Sequence, residues 1–468
     1  MSDRILMASS LAEPDPAGSN NTMTMQVHAL QKRGADVEIL TWPIGTLWKG
    51  PMPDGAEMGG MPYRYSVYHD LKYHIVMPPH AWSRRVLNED EWEAAVSYSM
   101  KILEQIKPSL VHLQFWQRLW WVVAAAQRLG IPTVYSAHDF GIACLRTVLL
   151  TGDERVCDGT VSVDKCSKCI LSGRNIVGSI NEAVAAIPGA ELILNLLYGR
   201  EKDGFIARSG GERMNVRRRV ALTIERNRAM FERIDAVIAS NPLAALFFRQ
   251  FGVAENKSHM FPWFSSSRSK TLDLPPFSEG INIGVVSRIS PEKGIHLLLD
   301  ALAEMDSRRP VTLHIAGALD SAYARKLHKK YSNRAGRHAV VWRGWIPNAQ
   351  LSGFYTKMHV MIVPSLCCDN SPLTLSEALA HGRPVICTDV PSMTHLVKNG
   401  INGLVFPLAN KDVLKRHIQR LADNPELISA FSRNSTAVLT AEEYAGKLIQ
   451  IYDTVLSSTR TDDKGVNA

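Results

Sequence analysis

Short apolar runs alternate along the chain with longer amphipathic stretches, and loops rich in Gly, Pro, Ser, Asn and Asp separate them. Residues 4–8 predict a first strand, and residues 9–21 a loop holding Pro14, Pro16 and Gly18. Residues 22–32 predict a helix with Met23, Val27 and Leu30 on one side. Gly34 ends that helix and residues 37–40 form the next strand, so the chain opens as a strand–loop–helix–strand unit of the doubly wound type. Further strands are expected over 73–77, 109–114, 132–136 and 236–240, with a helix over 89–106. After a Ser- and Pro-containing linker at 262–276, strands recur at 281–286, 311–316, 340–342, 360–363, 384–388 and 404–406. The pattern is α/β. It divides into a domain over 1–265, a second over 277–440, a helix over 441–457 crossing back to the first, and a disordered tail over 458–468.

The candidate chemistry gathers where strands end. Residues 360–363 run into a loop containing Asp369, Asn370, Ser371 and Pro372, and a helix is expected to begin at Leu373 with Thr374 in its first turn. Backbone N–H groups at a helix start after a strand's carboxyl end attract an anion. Asp369 and Glu377 add carboxylates suited to sugar hydroxyls, so the stretch suggests a sugar joined to a phosphate. The loop after 281–286 brings Arg288 and Lys293 to a second helix start. There Arg offers forked hydrogen bonds and Lys a point charge for a diphosphate. The alternative is two solvated surface cations. The first loop lacks the three-glycine fingerprint, which disfavours a nicotinamide site.

The string from Asp369 to Ala378, continued by Ala380-His381-Gly382-Arg383-Pro384, resembles the donor-binding signature of retaining glycosyltransferases of the GT-B fold, the group 1, family 4-like type. The resemblance implies two Rossmann-like domains facing a cleft. It also implies transfer of a sugar from a nucleoside diphosphate sugar to a hydroxyl of a glycan or lipid-linked acceptor, with retention. By that likeness Glu377 holds the donor's ribose, Asp369 its sugar, and residues 370–374 the phosphate end. Arg288 and Lys293 then meet the diphosphate, and the backbone around Trp345 and Ile346 reads the base. Gly18 borders the cleft from the first domain, and His138 corresponds to the family's active-site histidine. The family is thought to use a front-face route in which the departing phosphate helps deprotonate the acceptor. Three positions depart from the usual pattern: Asp369 stands where Glu is common, Ser287 where Gly is common, and His395 where many relatives carry Glu. No Asp-X-Asp triplet occurs, which argues against the metal-bridged diphosphate of the other glycosyltransferase architecture, so no catalytic metal is expected. A nucleotide- or glycan-binding relative without turnover, a nucleotide-sugar epimerase and a phosphorylase remain as alternative readings.

An insertion over about 142–220 is rich in Cys and Arg. Cys144, Cys157, Cys166 and Cys169, the last two spaced as Cys-Ser-Lys-Cys, suit one tetrahedral zinc ahead of an iron–sulfur cluster or, alternatively, unpaired thiols in a surface insertion. The apolar stretch 176–198 reads as two short helices. Arg200, Lys202, Arg208, Arg213 and Arg217–Arg219 then follow, and the ensemble fits either an anionic membrane surface or a solvated basic face. Phe115-Trp116 and Trp120-Trp121 stack on an acceptor or pack a helix onto a sheet. Bulk properties add little. Hydrophobic residues make up 46% and charged ones 21% of 468, as in a soluble globular protein. The net charge of +8 suits phosphorylated ligands without requiring nucleic acid, which is not expected as a partner. With no signal peptide and no long apolar run, the expected location is cytoplasmic, peripheral to a membrane at most.

Overall fold

The computed structural model describes residues 3–9, 18–41, 57–58, 61–68, 70–76, 87–114, 119–146, 149–151, 155–172, 216–266, 268, 273–435 and 438–465. The chain separates into two compact units, Met1–Phe261 with Ala445–Ala468, and Pro262–Tyr444.

The first unit is built on nine strands: β1 Arg4–Ser9, β2 Asp36–Thr41, β3 Glu57–Met58, β4 Met61–Tyr68, β5 Leu71–Val76, β6 Leu110–Leu113, β7 Thr133–Ser136, β8 Ala236–Ala239 and β9 Ser258–Met260. They form one sheet in the order β3-β4-β5-β2-β1-β6-β7-β8-β9. From β5 to β9 every pairing is parallel, while β3, β4 and β5 are antiparallel neighbours. Leu6, Met7 and Ala8 of β1 are fully buried, as are Val111 and Leu113 of β6. Strands covered on both faces carry unbroken apolar runs, and that made them readable in the sequence.

The structure corrects one part of that reading and decides between alternatives in another. The first helix begins at Gly18, inside the expected loop, and runs Gly18–Lys32. Trp120 and Trp121 lie in a helix, Trp120–Arg128, and both are buried. Trp120 meets Trp92 edge-to-face at 4.9 Å, so this pair packs helix against helix. Phe115 and Trp116, the stretch 176–198 and the cations from Arg200 to Arg213 lie outside the described residues. Among the described residues no helix is long and apolar enough to cross a membrane.

The second unit holds β10 Ile281–Val286, β11 Val311–Ala316, β12 Arg334–Ala335, β13 His338–Gly344, β14 Val360–Val363, β15 Val385–Thr388 and β16 Gly403–Phe406. Their order is β12-β13-β11-β10-β14-β15-β16, parallel except for the β12–β13 hairpin. The chain steps from β10 to β11 on one side and later adds β14 on the other. The carboxyl ends of β10 and β14 therefore flank a topological switch point, where connecting loops part and leave room for a ligand.

Residues of the expected linker are not loosely held. Trp263 and Phe264 are buried, Trp263 stacks on Tyr444 with centroids 5.4 Å apart, and Ser265 pairs with Thr440 in an isolated parallel bridge. Helix Ala441–Gly465 spans the boundary between the two units. Its backbone stays helical to Gly465, past residue 458 where the sequence reading began a disordered tail.

Candidate functional site

At the switch point three carboxyl-end loops of the second unit are locked together. Gly294 closes the loop after β10 with φ +68, and a Cβ there would meet the carbonyl oxygen of Pro364 at 1.9 Å. Only glycine permits that approach. The Leu366 N–H donates to Glu292 O at 2.8 Å, a second tie between the loops after β10 and β14. The loop after β11 joins from the other side. A Cβ on Gly317 would meet Ser287 O at 2.3 Å, and the Gly317 N–H donates to Gly344 O at 2.8 Å.

Into this frame the structure brings Lys293 and Asp369. The Lys293 ammonium donates to both Asp369 carboxylate oxygens at 2.7 Å. Ser365 Oγ donates to Asp369 Oδ2 at 2.9 Å, and Cys367 Sγ lies 3.6 Å from Oδ1. Arg288 is largely exposed, with Glu292 Oε1 3.5 Å from its guanidinium. Its freedom contrasts with the tethering of Lys293.

The helix Leu373–Ala380 starts where the sequence placed it. Pro372 is its N-cap and makes no side-chain cap bond, so the first-turn N–H groups have no capping side chain. Thr374 Oγ1 donates to Val286 O at 2.9 Å, pinning this helix start to the end of β10. Asn370 is buried, and the Ser371 hydroxyl is enclosed without a hydrogen-bond partner. Uncapped N–H groups, an unpartnered hydroxyl and two cations make an environment complementary to a phosphate.

Glu377 sits deeper in the same helix and is nearly fully buried. The Tyr355 hydroxyl donates to its Oε2 at 2.6 Å and Ser266 Oγ to its Oε1 at 3.0 Å. Burial raises its pKa, and those two hydrogen bonds only partly oppose the shift. Tyr355 in turn stacks on His381, with centroids 5.2 Å apart. Trp345 follows β13 and is one of the most exposed large side chains, and Ile346 beside it is partly exposed. His395 caps the short helix Pro391–Thr394 at its C-terminus.

Two predicted residues belong to the first unit. Gly18 is the first residue of helix Gly18–Lys32. His138 follows β7 and takes part in a buried polar chain that sequence reasoning missed. His138 Nε2 lies 2.8 Å from Gln114 Oε1, so this nitrogen carries the proton and donates. The Gln114 amide nitrogen is 3.2 Å from both ring nitrogens of His112. His112 Nδ1 meets the Tyr452 hydroxyl at 2.6 Å, and its Nε2 meets Ser136 Oγ at 2.8 Å. Burial pushes both histidines down to about 3, with mutual repulsion adding to the shift of His112. Both are neutral at physiological pH and act as hydrogen-bonding groups rather than charges.

Comparison with known proteins adds two partial family matches and the fold. Residues 273–438 match the family described as Glycosyl transferases group 1, and residues 17–161 match the Glycosyl transferase 4-like domain. The alpha-D-kanosaminyltransferase of Streptomyces kanamyceticus is 27% identical over 161 residues, covering 34% of this chain and 41% of that protein. The D-inositol 3-phosphate glycosyltransferase of Streptomyces bingchenggensis is 26% identical over 193 residues, covering 37% and 42%. The chain thus spans less than half the length of these curated relatives. Among solved structures, the sucrose-phosphate synthase of Thermosynechococcus elongatus superposes with a TM-score of 0.62 at 17% identity, covering 97% of this chain and all of that one. Anabaena Alr3699/HepE, solved in complex with UDP and glucose, superposes with a TM-score of 0.57 at 15% identity, covering 98% of this chain and 100% of that one.

Proposed function

We infer that this chain, which has the two-domain Rossmann-like GT-B fold, is a glycosyltransferase that takes its sugar from a nucleoside diphosphate donor. The observation that carries the reading is the switch-point frame. Two cations, an uncapped helix start and two carboxylates converge there from the carboxyl ends of β10 and β14. UDP bound to the Anabaena neighbour, and the nucleotide sugar to which this family resemblance points, support the same ligand class.

On this reading the charge that develops on the departing diphosphate is met by Arg288, Lys293 and the first N–H groups of helix Leu373–Ala380. Lys293 shares its ammonium between Asp369 and the phosphate, and Asp369 thereby positions it. Glu377 offers a lone pair to a ribose hydroxyl when the Tyr355 or Ser266 hydroxyl yields its place. Both carboxylates already accept protein hydrogen bonds, so neither is a free nucleophile. That accords with a retaining front-face route, in which the leaving phosphate removes the acceptor's proton. His138, held neutral with Nε2–H on Gln114, orients sugar or acceptor by hydrogen bonding. Catalysis needs no divalent metal, because Lys293 and Arg288 supply the positive charge that a metal would bring to the phosphate. The acceptor is a hydroxyl of a glycan or lipid-linked sugar, reached from the cytoplasmic side.

The test is release of free nucleoside diphosphate from a panel of UDP-, GDP- and ADP-sugars, with and without EDTA. We expect one donor to be consumed, unaffected by EDTA. Lys293→Ala should lower kcat/KM on the order of 10²-fold, the usual cost of losing one transition-state charge partner. Full turnover by Lys293→Ala, or by Arg288→Ala, would remove the assignment. A nucleotide that raises the melting temperature without any donor being consumed, even with candidate acceptors added, would favour a binding protein.

A further inference from the structure

Four cysteines take no part in the donor frame, and the fold gathers them from three segments. Cys144 ends a turn in which its N–H donates to Phe140 O at 2.7 Å. Cys157 closes a small hairpin, its N–H donating to Leu149 O at 2.7 Å beside the antiparallel bridge Leu150–Val156. Cys166 and Cys169 lie one turn apart on helix Val163–Leu171, which the Ser162 side chain caps through Lys165 N–H. The helix abuts both other segments. Cys169 Sγ lies 4.0 Å from Leu150 O, and Arg146 Nη1 donates to Cys169 O at 3.4 Å.

The thiols are electrostatic neighbours: Cys144 feels Cys157 and Cys169, and Cys166 feels Cys157 and Cys169. Hydrogen-bond donors stand beside the sulfurs. The N–H groups of Arg146 and Leu149 bond Cys144 sulfur, the Ser162 N–H bonds Cys166, and the Lys165 ammonium reaches Cys157 and Asp158. None of the four is in a disulfide. Among the described residues no three His, Cys, Asp or Glu side chains already stand in a ligating arrangement, so these side chains must turn inward to share a ligand.

We propose that Cys144, Cys157, Cys166 and Cys169 form a metal–thiolate site that closes around one zinc ion. Four thiols release their protons to solvent, and the resulting ZnS₄ centre of charge −2 is balanced by Lys165, Arg146 and the N–H donors. The site lies on the His138 loop: Gly141 N–H donates to Asp139 Oδ1 at 2.7 Å, and Asn227 Nδ2 donates to Ile142 O between His138 and Cys144. Bound metal then fixes the far end of the loop that carries His138.

The full chain, produced in zinc-supplemented medium and purified without chelator, should contain about one zinc per chain, the stoichiometry of a four-thiolate structural site. Cobalt(II) added to metal-free protein should give the near-ultraviolet charge-transfer absorption of thiolate ligation. Cys157→Ser and Cys166→Ser should each lose the zinc. Should those variants fail to fold, titrating the unaltered protein with a mercurial must release the zinc as four thiols react. Removing zinc should also speed amide exchange over 137–146 and leave β10–β14 unchanged. Absence of zinc, iron with acid-labile sulfide, disulfides among the four in non-reducing mass spectra, or zinc retained in both variants would each overturn the proposal.

Discussion

Glu377 shows how a single residue is pulled in two directions. The folded chain buries its carboxyl and raises its pKa, so the folded state holds the proton more tightly than the unfolded state does. Its contribution to stability is therefore complete below the ordinary carboxylate pKa and is lost as pH rises through the raised value. Glu377→Gln should raise the melting temperature at neutral pH and leave it unchanged near pH 4, while donor consumption collapses. A variant that melts earlier than the parent at pH 7.5 would contradict this account. Arg288, Lys293 and Asp369 were legible because each is a polar residue in a loop between an apolar strand and a helix start. Tyr355, Ser266 and Gln114 were not. Tyr355 and Ser266 reach Glu377 across 22 and 111 positions, and Gln114 reaches His138 across 24, distances over which no local pattern in sequence speaks.

Elements differ in how they announce themselves. The doubly covered parallel strands appear as apolar runs, whereas β4 keeps Tyr65 and Val67 exposed, and β9 is Ser-His-Met, so neither stood out. Strand order was invisible, because it depends on which connections cross which face, and the switch point became known only with it. The loop after β10 carries a sharp expectation. In Gly294→Ala the new methyl collides with Pro364 O, and the left-handed backbone costs a further 1–2 kcal/mol, roughly, for a residue with a Cβ. The loop should swing away from its neighbour after β14. Calorimetric titration with UDP, GDP and ADP should then show lost affinity for whichever nucleotide the parent binds, with the fold retained by circular dichroism. Equal affinity in parent and variant would mean the frame does not hold the ligand. A second element-level test concerns helix Ala441–Gly465. Tyr452→Phe leaves His112 Nδ1 only its longer contact with the Gln114 amide, a cost of about 1 kcal/mol, to be read as a drop in melting temperature.

For the molecule as a whole, periodicity and the change of composition after β9 separated two α/β bodies. A helix over 441–457 returning to the first body was also expected; which residues it covers there is a tertiary fact that periodicity could not express. Ala445, Leu448, Ile451, Tyr452 and Val455 are all buried in the first unit, although they come after the second unit in sequence. A chain ending at Thr440 should accordingly show rapid hydrogen exchange in β6 and β7 and retain protection in β10, β11 and β14. Uniform protection would mean the last helix is dispensable. The same return of the chain sets an order of events during synthesis. The second unit, Pro262–Tyr444, is one uninterrupted stretch made before the residues that complete the first. The first, although it emerges earlier, waits for the final helix to supply Tyr452 to His112. The part of the protein begun first is finished after the second, and until helix Ala441–Gly465 emerges it must be kept from aggregating with its central strands incompletely covered.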